Sequence, residues 1–308
     1  MKSTIKQLPA NTVLENFRVL NTLGGGGFSI VYLVEELDSG NRFVLKEYMP
    51  ARLAKRNSDH SVTPVDDNAV QAFQKGRMMF FQEASTLATL QHDNIVNVRS
   101  FFRANNTVYM ALYYHQGVEL QSYIKKHNGK LSEKLLLTVF PPLIEALKMV
   151  HERGYLHLDI KPGNIHIRHG GNPLLLDFGA IHQLQLSRQD QVGHVTSQGF
   201  SPIEQYQRNG YVGPWTDIYA LGATLYACMD GNPPIPANKR HEDDTIRPAT
   251  SAFRKYYSKS LLEAVDWALE VDPECRPQSL DDFLQALLPR SNEKKSLTAR
   301  LWDRINPG

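Results

Sequence analysis

The sequence predicts an α+β fold in two lobes, and three observations carry that prediction. The N-terminal third alternates short β-branched and apolar runs with Gly, Asn and Asp turns. Beyond about residue 118 the apolar residues fall at helical spacing, as in SEKLLLTVFPPLIEALKMVHERG (132–154) and through most of 215–290. A chain of 308 residues, 42% hydrophobic and 21% charged, can bury a large core, which suits two packed lobes with a cleft for a ligand.

An irregular arm, residues 1–14, leads in. FRVLNTLG (17–24), FSIVYLVEEL (28–37) and RFVLKEYM (42–49) read as three strands, separated by a glycine run and by Asp38-Ser39-Gly40-Asn41. ARLAKRNSDHSVTPVDDN (51–68) shows neither the helical nor the strand period and predicts an exposed insertion. Phe73, Met78, Phe80, Phe81, Ala84, Leu87 and Leu90 then recur near helical spacing and predict, most simply, one helix over about 70–90, a break near Gly76 being the alternative. IVNVRSFF (95–102) and TVYMALYY (107–114) form a hairpin about Ala104-Asn105-Asn106, and the hinge between lobes falls near 113–118. Residues 289–308 are a basic tail, read as a solvated helix.

Composition narrows the function classes. The net charge is only +2 and the basic residues are scattered, so no footprint for nucleic acid exists. Two cysteines, Cys228 and Cys275, supply neither a disulfide framework nor metal-ligand spacing, which fits a reducing, cytoplasmic compartment. The longest apolar run, IYALGATLYACM (218–229), falls short of the roughly 18 residues of a membrane span, and no signal-peptide pattern is present. Oligomeric state is not encoded in any pattern here.

Three clusters point to chemistry. Leu23-Gly24-Gly25-Gly26-Gly27-Phe28-Ser29 lies between two apolar strands and continues to Val31 as GxGxFSxV. A glycine run is commonly a turn or linker, but without Cβ atoms its backbone N–H groups can also approach a phosphate closely. It is not a Walker A loop, because no Gly-Lys-Ser/Thr follows and the next element is a strand. Lys46 lies on the third strand and Glu83 on the following helix, on the side expected to face the sheet; an edge lysine needs no partner, whereas a partly buried one does. HLDIKPGNI (157–165) and LLLDFGA (174–180) bring Asp159, Lys161, Asn164 and Asp177 together, and Asn plus Asp suits Mg²⁺ completed by phosphate oxygens. Turn residues beside buried strands would also place Asp and Asn there, though not the lysine and the DFG as well.

In this order and spacing, over roughly residues 15–288, the chain resembles the eukaryotic-type protein kinase superfamily. KEYMP, the insertion after it and GFSPIEQY are most similar to bacterial Ser/Thr members. The resemblance implies a bilobal protein-kinase-like fold: an N-lobe (15–114) of antiparallel β-sheet plus C-helix, with the insertion at about 51–68, and a mainly helical C-lobe (118–288). It implies that residues 23–29 and Val31 cover ATP, that Lys46 contacts the α/β-phosphates with Glu83 as its partner, and that adenine meets Tyr113, Tyr114 and His115 beside Leu112. Asp159 is then the catalytic base, Lys161 the γ-phosphate contact, and Asn164 with Asp177 the ligands of Mg²⁺, Mn²⁺ being the alternative ion. His157, Phe178 and Gly179 complete the two loops. SPIE (201–204) stands in the APE position, with Glu204 expected to pair with Arg276, and Asp217 in WTDIYALG braces the catalytic loop. The SPIE-to-Arg276 arrangement implies protein substrates, Lys161 and Ser197 imply Ser or Thr as the acceptor, and autophosphorylation is expected as well.

Departures from the family pattern are Ser29 for the third glycine, Leu158 for the arginine of HRD, Ile203 for the proline of APE, and a long separation between Lys46 and Glu83. Leu158 removes the usual contact for an activation-loop phosphate at Ser187, Thr196 or Ser197. Ser29 and Leu158 also motivate an alternative, a pseudokinase or nucleotide-binding scaffold.

Overall fold

A computed structural model describes residues 7–183 and 196–288. The chain divides into two compact units, residues 1–116 and 117–308. Ser187 and the basic tail lie outside the described residues.

Unit 1 is built on a six-stranded antiparallel sheet, β1 (Val13–Leu14), β2 (Phe17–Gly25), β3 (Ser29–Glu36), β4 (Arg42–Tyr48), β7 (Val98–Ala104) and β8 (Thr107–Tyr113), in the order β1-β2-β3-β4-β8-β7. Strict alternation in β3 buries Ile30, Tyr32 and Val34 on one face. Cross-strand register puts Phe43, Leu45 and Glu47 of β4 and Tyr109 of β8 on that same face, where Phe17, Phe43, Phe102 and Tyr109 pack ring to ring. The β7–β8 turn is Asn105-Asn106 with φ of 51° and 59°, the left-handed pair that a two-residue hairpin turn requires.

The other face carries Lys46, Tyr48, Met110 and Phe101 and receives helix α1 (Ala69–Thr89). Tyr48 packs on Phe73 and Phe80, and Phe81 meets Phe101 edge-on. As the simplest reading has it, α1 is one helix and runs unbroken through Gly76: a Cβ there would overlap the Tyr48 hydroxyl, so the glycine serves close packing.

The expected exposed insertion is also corrected. Residues 54–64 form a hairpin, β5 (Ala54–Arg56) with β6 (Val62–Pro64), that buries Ala54, Val62 and the Arg56 side chain. Arg56 donates to the fully buried Glu47, which also accepts from the Tyr32 and Tyr109 hydroxyls. Burial disfavours the guanidinium's charge, but the adjoining Glu47 carboxylate outweighs it, so the Arg56 pKa is raised.

Unit 2 is mainly helical, with α2 (Leu120–His127), α3 (Glu133–Glu152), α4 (Ile203–Tyr206), α5 (Pro214–Asp230), α6 (Ala237–Glu242), α7 (Ala249–Ala252), α8 (Lys259–Ala268) and α9 (Leu280–Leu287) among the described residues. Helix α2 has no counterpart in the sequence reading. Helix α5 is buried on every side from Thr216 to Met229, as an all-round apolar helix must be. It approaches α8 closely at Gly222, where a Cβ would stand 2.7 Å from the Ala268 methyl. Ser132 caps α3 and Ser258 caps α8, each accepting from a backbone amide of the first turn. Short strands β9 (Gly117–Glu119), β11 (Ile165–Arg168) and β12 (Pro173–Leu175) form one antiparallel sheet, and β10 (Tyr155–Leu156) pairs with β13 (His182–Gln183). Strands β10, β11 and β12 frame the two loops that carry Asp159 and Asp177.

Candidate active site

In unit 1 the glycine run is the turn between β2 and β3. Register places Gly24, Val31 and Lys46 in one row across β2, β3 and β4. At Gly24, Gly26 and Gly27 a Cβ would meet nothing within 4 Å, and Leu23 and Phe28 are exposed, Phe28 by 64%. Ser29 opens β3, and its carbonyl accepts from Gly26 N at 2.9 Å, closing the loop on itself. Lys46 Nζ stands 2.9 Å from Glu83 Oε1, both side chains largely buried, with the Phe80 ring 5.5 Å from the ammonium. Leu112 is buried at the end of β8. Tyr113 and Tyr114 are exposed beyond it, and His115 is partly buried.

In unit 2 the loop 157–164 is held from beneath by helix α5. Asp217, fully buried, accepts from the backbone amides of His157 at 2.9 Å and Leu158 at 2.8 Å, and from His151 at 2.8 Å. Burial alone would raise its pKa, but the His151 hydrogen bond and nearby imidazoles more than offset this and hold it below the usual carboxylate value. Leu158 adopts φ 60°, costly for a non-glycine residue, and its carbonyl accepts from Gln205 Nε2 at 2.9 Å. His157 is buried edge-on to Phe178, and burial lowers its pKa, against the opposing pull of Asp217, Asp159 and Asp177.

The Asp159 carboxylate then faces three donors: Lys161 Nζ at 2.7 and 2.9 Å, Asn164 Nδ2 at 2.9 Å and the Ser197 hydroxyl at 2.7 Å. Lys161 also donates to Ser197 at 3.1 Å. Asn164 fixes its amide on the Asp159 carbonyl as well, at 2.8 Å, which turns its Oδ1 away from Asp159. Asp177 accepts from Gly179 N at 3.0 Å through Oδ1. What Asn164 and Asp177 could offer a cation is one amide oxygen and one carboxylate, a hard and sparse set. Among the described residues no group of three His, Cys, Asp or Glu side chains forms a metal cage. Such a pair fits an ion that keeps water and phosphate oxygens in its shell.

Downstream, Glu204 and Arg276 are bidentate at 2.8 and 3.1 Å, and Glu204 also accepts from Thr216. Arg276, with no exposed side-chain surface, spends its remaining donors on the carbonyls of Glu270, Val271 and Trp215 and lies over the Tyr219 ring. Losing one member of such a pair costs about 3–5 kcal/mol, since the other stays buried and uncompensated.

Residues 17–295 match the protein kinase domain. This chain belongs to the protein kinase family. The kinase is 37% identical to the structure described as "PpkA-294 apo form", covering 92% of this chain and 99% of that one with a TM-score of 0.81. It shares the fold of the twitchin kinase region from C. elegans at 23% identity and a TM-score of 0.71. Curated relatives include the CBL-interacting protein kinase 21 of Oryza sativa, 31% identical over 69% of this chain and 37% of that protein, and the serine/threonine-protein kinase PknA of Nostoc sp., 28% identical over 89% and 47%. The PrkC serine/threonine-protein kinase of Bacillus subtilis is 27% identical over 87% of this chain and 36% of its own length. The chain thus spans less than half of these curated relatives. The bacterial relatives PknA and PrkC are named as serine/threonine-protein kinases, and the protein kinase family uses ATP and a divalent metal. No helix among the described residues is long and apolar enough to cross a membrane.

Sequence reasoning missed supports in each unit: in unit 2, Gln205, which fixes the Leu158 carbonyl, and His151, which donates to Asp217; in unit 1, Arg56 with Glu47 behind Lys46. Gln205 adjoins Glu204 and His151 sits in the last turn of α3, but neither carries a local pattern that announces a partner.

Proposed function

We propose that this chain is a protein serine/threonine kinase that transfers the γ-phosphoryl group of ATP to Ser or Thr hydroxyls of proteins, itself included. The observation that carries the reading is the Asp159 constellation: a carboxylate accepting a serine hydroxyl at 2.7 Å, flanked by an ammonium and an amide. A substrate hydroxyl in the place of the Ser197 hydroxyl would hand its proton to Asp159 as its oxygen attacks the γ-phosphorus. Lys161, freed from part of its pairing with Asp159, screens the charge gathering on the transferred group.

In unit 1, backbone N–H groups of residues 24–29 and the Lys46 ammonium, oriented by Glu83, bind nucleotide phosphates. Leu112 to His115 meet the adenine. Asn164 and Asp177 would hold the divalent ion, Mg²⁺ with Mn²⁺ as the alternative, since the donor set is hard and sparse. Held there, such an ion would supply positive charge against that of the nucleotide phosphates. The free thiols, Cys228 buried and Cys275 exposed, suit a cytoplasmic setting.

Mass-spectrometric mapping after incubation with Mg-ATP tests the proposal. Wild type acquires phosphate on Ser and Thr residues, and Asp177→Ala acquires none. Nucleotide binding without any transfer by wild type would overturn it.

A further inference from the structure

Four consecutive glycines have no side chains with which to hold a shape, so the conformation of the loop is set by what its ends are tied to. One end is tied to the insertion. Beyond the β3–β4 ladder, Met49 N donates to Phe28 O at 3.0 Å and Ala51 N to Gly27 O at 2.9 Å. Ala51 opens the 51–68 segment. Its far end carries α1: Asp66 Oδ1 accepts from Ala69 N at 2.9 Å, and α1 bears Glu83. A single segment thus links the glycine loop to the helix that orients Lys46.

That segment is fastened to the sheet at two points. Val62 N donates to Asn105 O at 2.7 Å at the β7–β8 turn. Arg56 reaches Glu47, the residue after Lys46 on β4, whose side chain occupies the opposite face. The guanidinium also donates to His60 O at 2.9 Å, closing the hairpin turn, while the Tyr32 and Tyr109 hydroxyls complete the Glu47 carboxylate. Both side chains of this charge pair are buried and each is held by further hydrogen bonds, an arrangement that resists sliding.

We propose that the 51–68 hairpin is a positioning strut for the nucleotide site, with the Arg56–Glu47 pair as its anchor, setting the glycine loop and α1 relative to Lys46. The proposal rests on the reading of residues 24–29, Lys46 and Glu83 as phosphate-binding. Arg56 is a positioning residue, acting through Glu47 and the hairpin without touching the nucleotide.

The test uses the full chain and the double variant Arg56→Met/Glu47→Gln, which removes both buried charges together and nearly keeps their volumes, so that folding survives where Arg56→Met alone would leave the Glu47 charge uncompensated. In nucleotide-free protein, amide hydrogen exchange within 23–31 and 69–89 should quicken about tenfold while exchange in α5 stays at the wild-type rate. KM for ATP should rise about fivefold or more with kcat changed less than about twofold, and Arg56→Lys should recover part of the KM effect. Unchanged exchange in both segments, or faster exchange spread evenly over the chain, overturns the strut. If wild type transfers no phosphate, the kinase proposal fails while the exchange measurement still decides this one.

Discussion

Asp217 accepts hydrogen bonds from the backbone amides of both His157 and Leu158, and Leu158 is held there at φ 60°. A left-handed leucine costs about 1–2 kcal/mol and persists only where its surroundings over-determine it. Here Asp217 fixes the amides and Gln205 the carbonyl, so helices α5 and α4 together dictate where Asp159 points. Asp217→Asn sets an amide NH₂ against one of those N–H donors. The expected result is a lower unfolding midpoint, equivalent to about 3 kcal/mol, and turnover reduced by more than about tenfold. Calorimetry and initial transfer rates check both.

Leu158 also packs with Leu156 and Val212, against Ala180, in an apolar cluster. A phosphate on Thr196 or Ser197 therefore finds no arginine at position 158. Phosphatase-treated protein should keep its transfer rate within about twofold of the untreated form. Leu158→Arg, which forces a guanidinium into the cluster, should destabilise by about 3 kcal/mol or more, read from denaturant unfolding.

Gly76→Ala separates two opposing effects. Alanine gains about 1 kcal/mol of helix propensity, but its methyl would overlap the Tyr48 hydroxyl, whose ring is wedged between Phe73 and Phe80. Overpacking of this kind costs about 1–3 kcal/mol, so a net loss of stability is expected, together with a raised KM for ATP as α1 shifts Glu83 from Lys46. A stabilised variant would show that Tyr48 moves freely.

Much of this was legible in the sequence because it is local. The glycine run, the alternation of β3, the apolar stripe of α1 and the all-round apolarity of α5 each declare themselves within a window of a dozen residues. The motif residues follow from family resemblance, and the structure brings Lys46 to Glu83, Asp159 to Lys161 and Asn164, and Glu204 to Arg276. What failed was long-range. Polar residues 51–68 read as exposed because nothing nearby reveals that Arg56 has Glu47 as a buried partner. The reason for a glycine at position 76 was likewise hidden, because the tyrosine that needs its space, Tyr48, lies far off in sequence on β4.

His157 gives the pH dependence a direction. Burial lowers its pKa below the usual 6.5, so it folds in the neutral form. Below that value the unfolded chain binds a proton that the folded protein refuses, and stability is lost as the pH falls from about 6.5 toward the folded pKa, at up to about 1.4 kcal/mol per pH unit. Asp217, with its pKa lowered, adds a second loss as the pH falls below about 4 through its folded value. His157→Asn keeps an acceptor for the Asp159 amide without titrating. Its unfolding free energy should vary less between pH 6.5 and 5.5 than that of wild type, by up to about 1 kcal/mol.

The central claim is that Asp159 accepts the proton of a hydroxyl as the phosphoryl group moves. The most direct measurement is the rate of γ-phosphoryl transfer from ATP to a generic Ser/Thr protein substrate, with ATP affinity measured in parallel, for wild type and Asp159→Asn. Wild type should phosphorylate Ser and Thr, and the variant should bind ATP with similar affinity while transferring about 10²–10⁴ times more slowly. Equal rates in the two proteins, or ATP binding without transfer in wild type, would contradict the account.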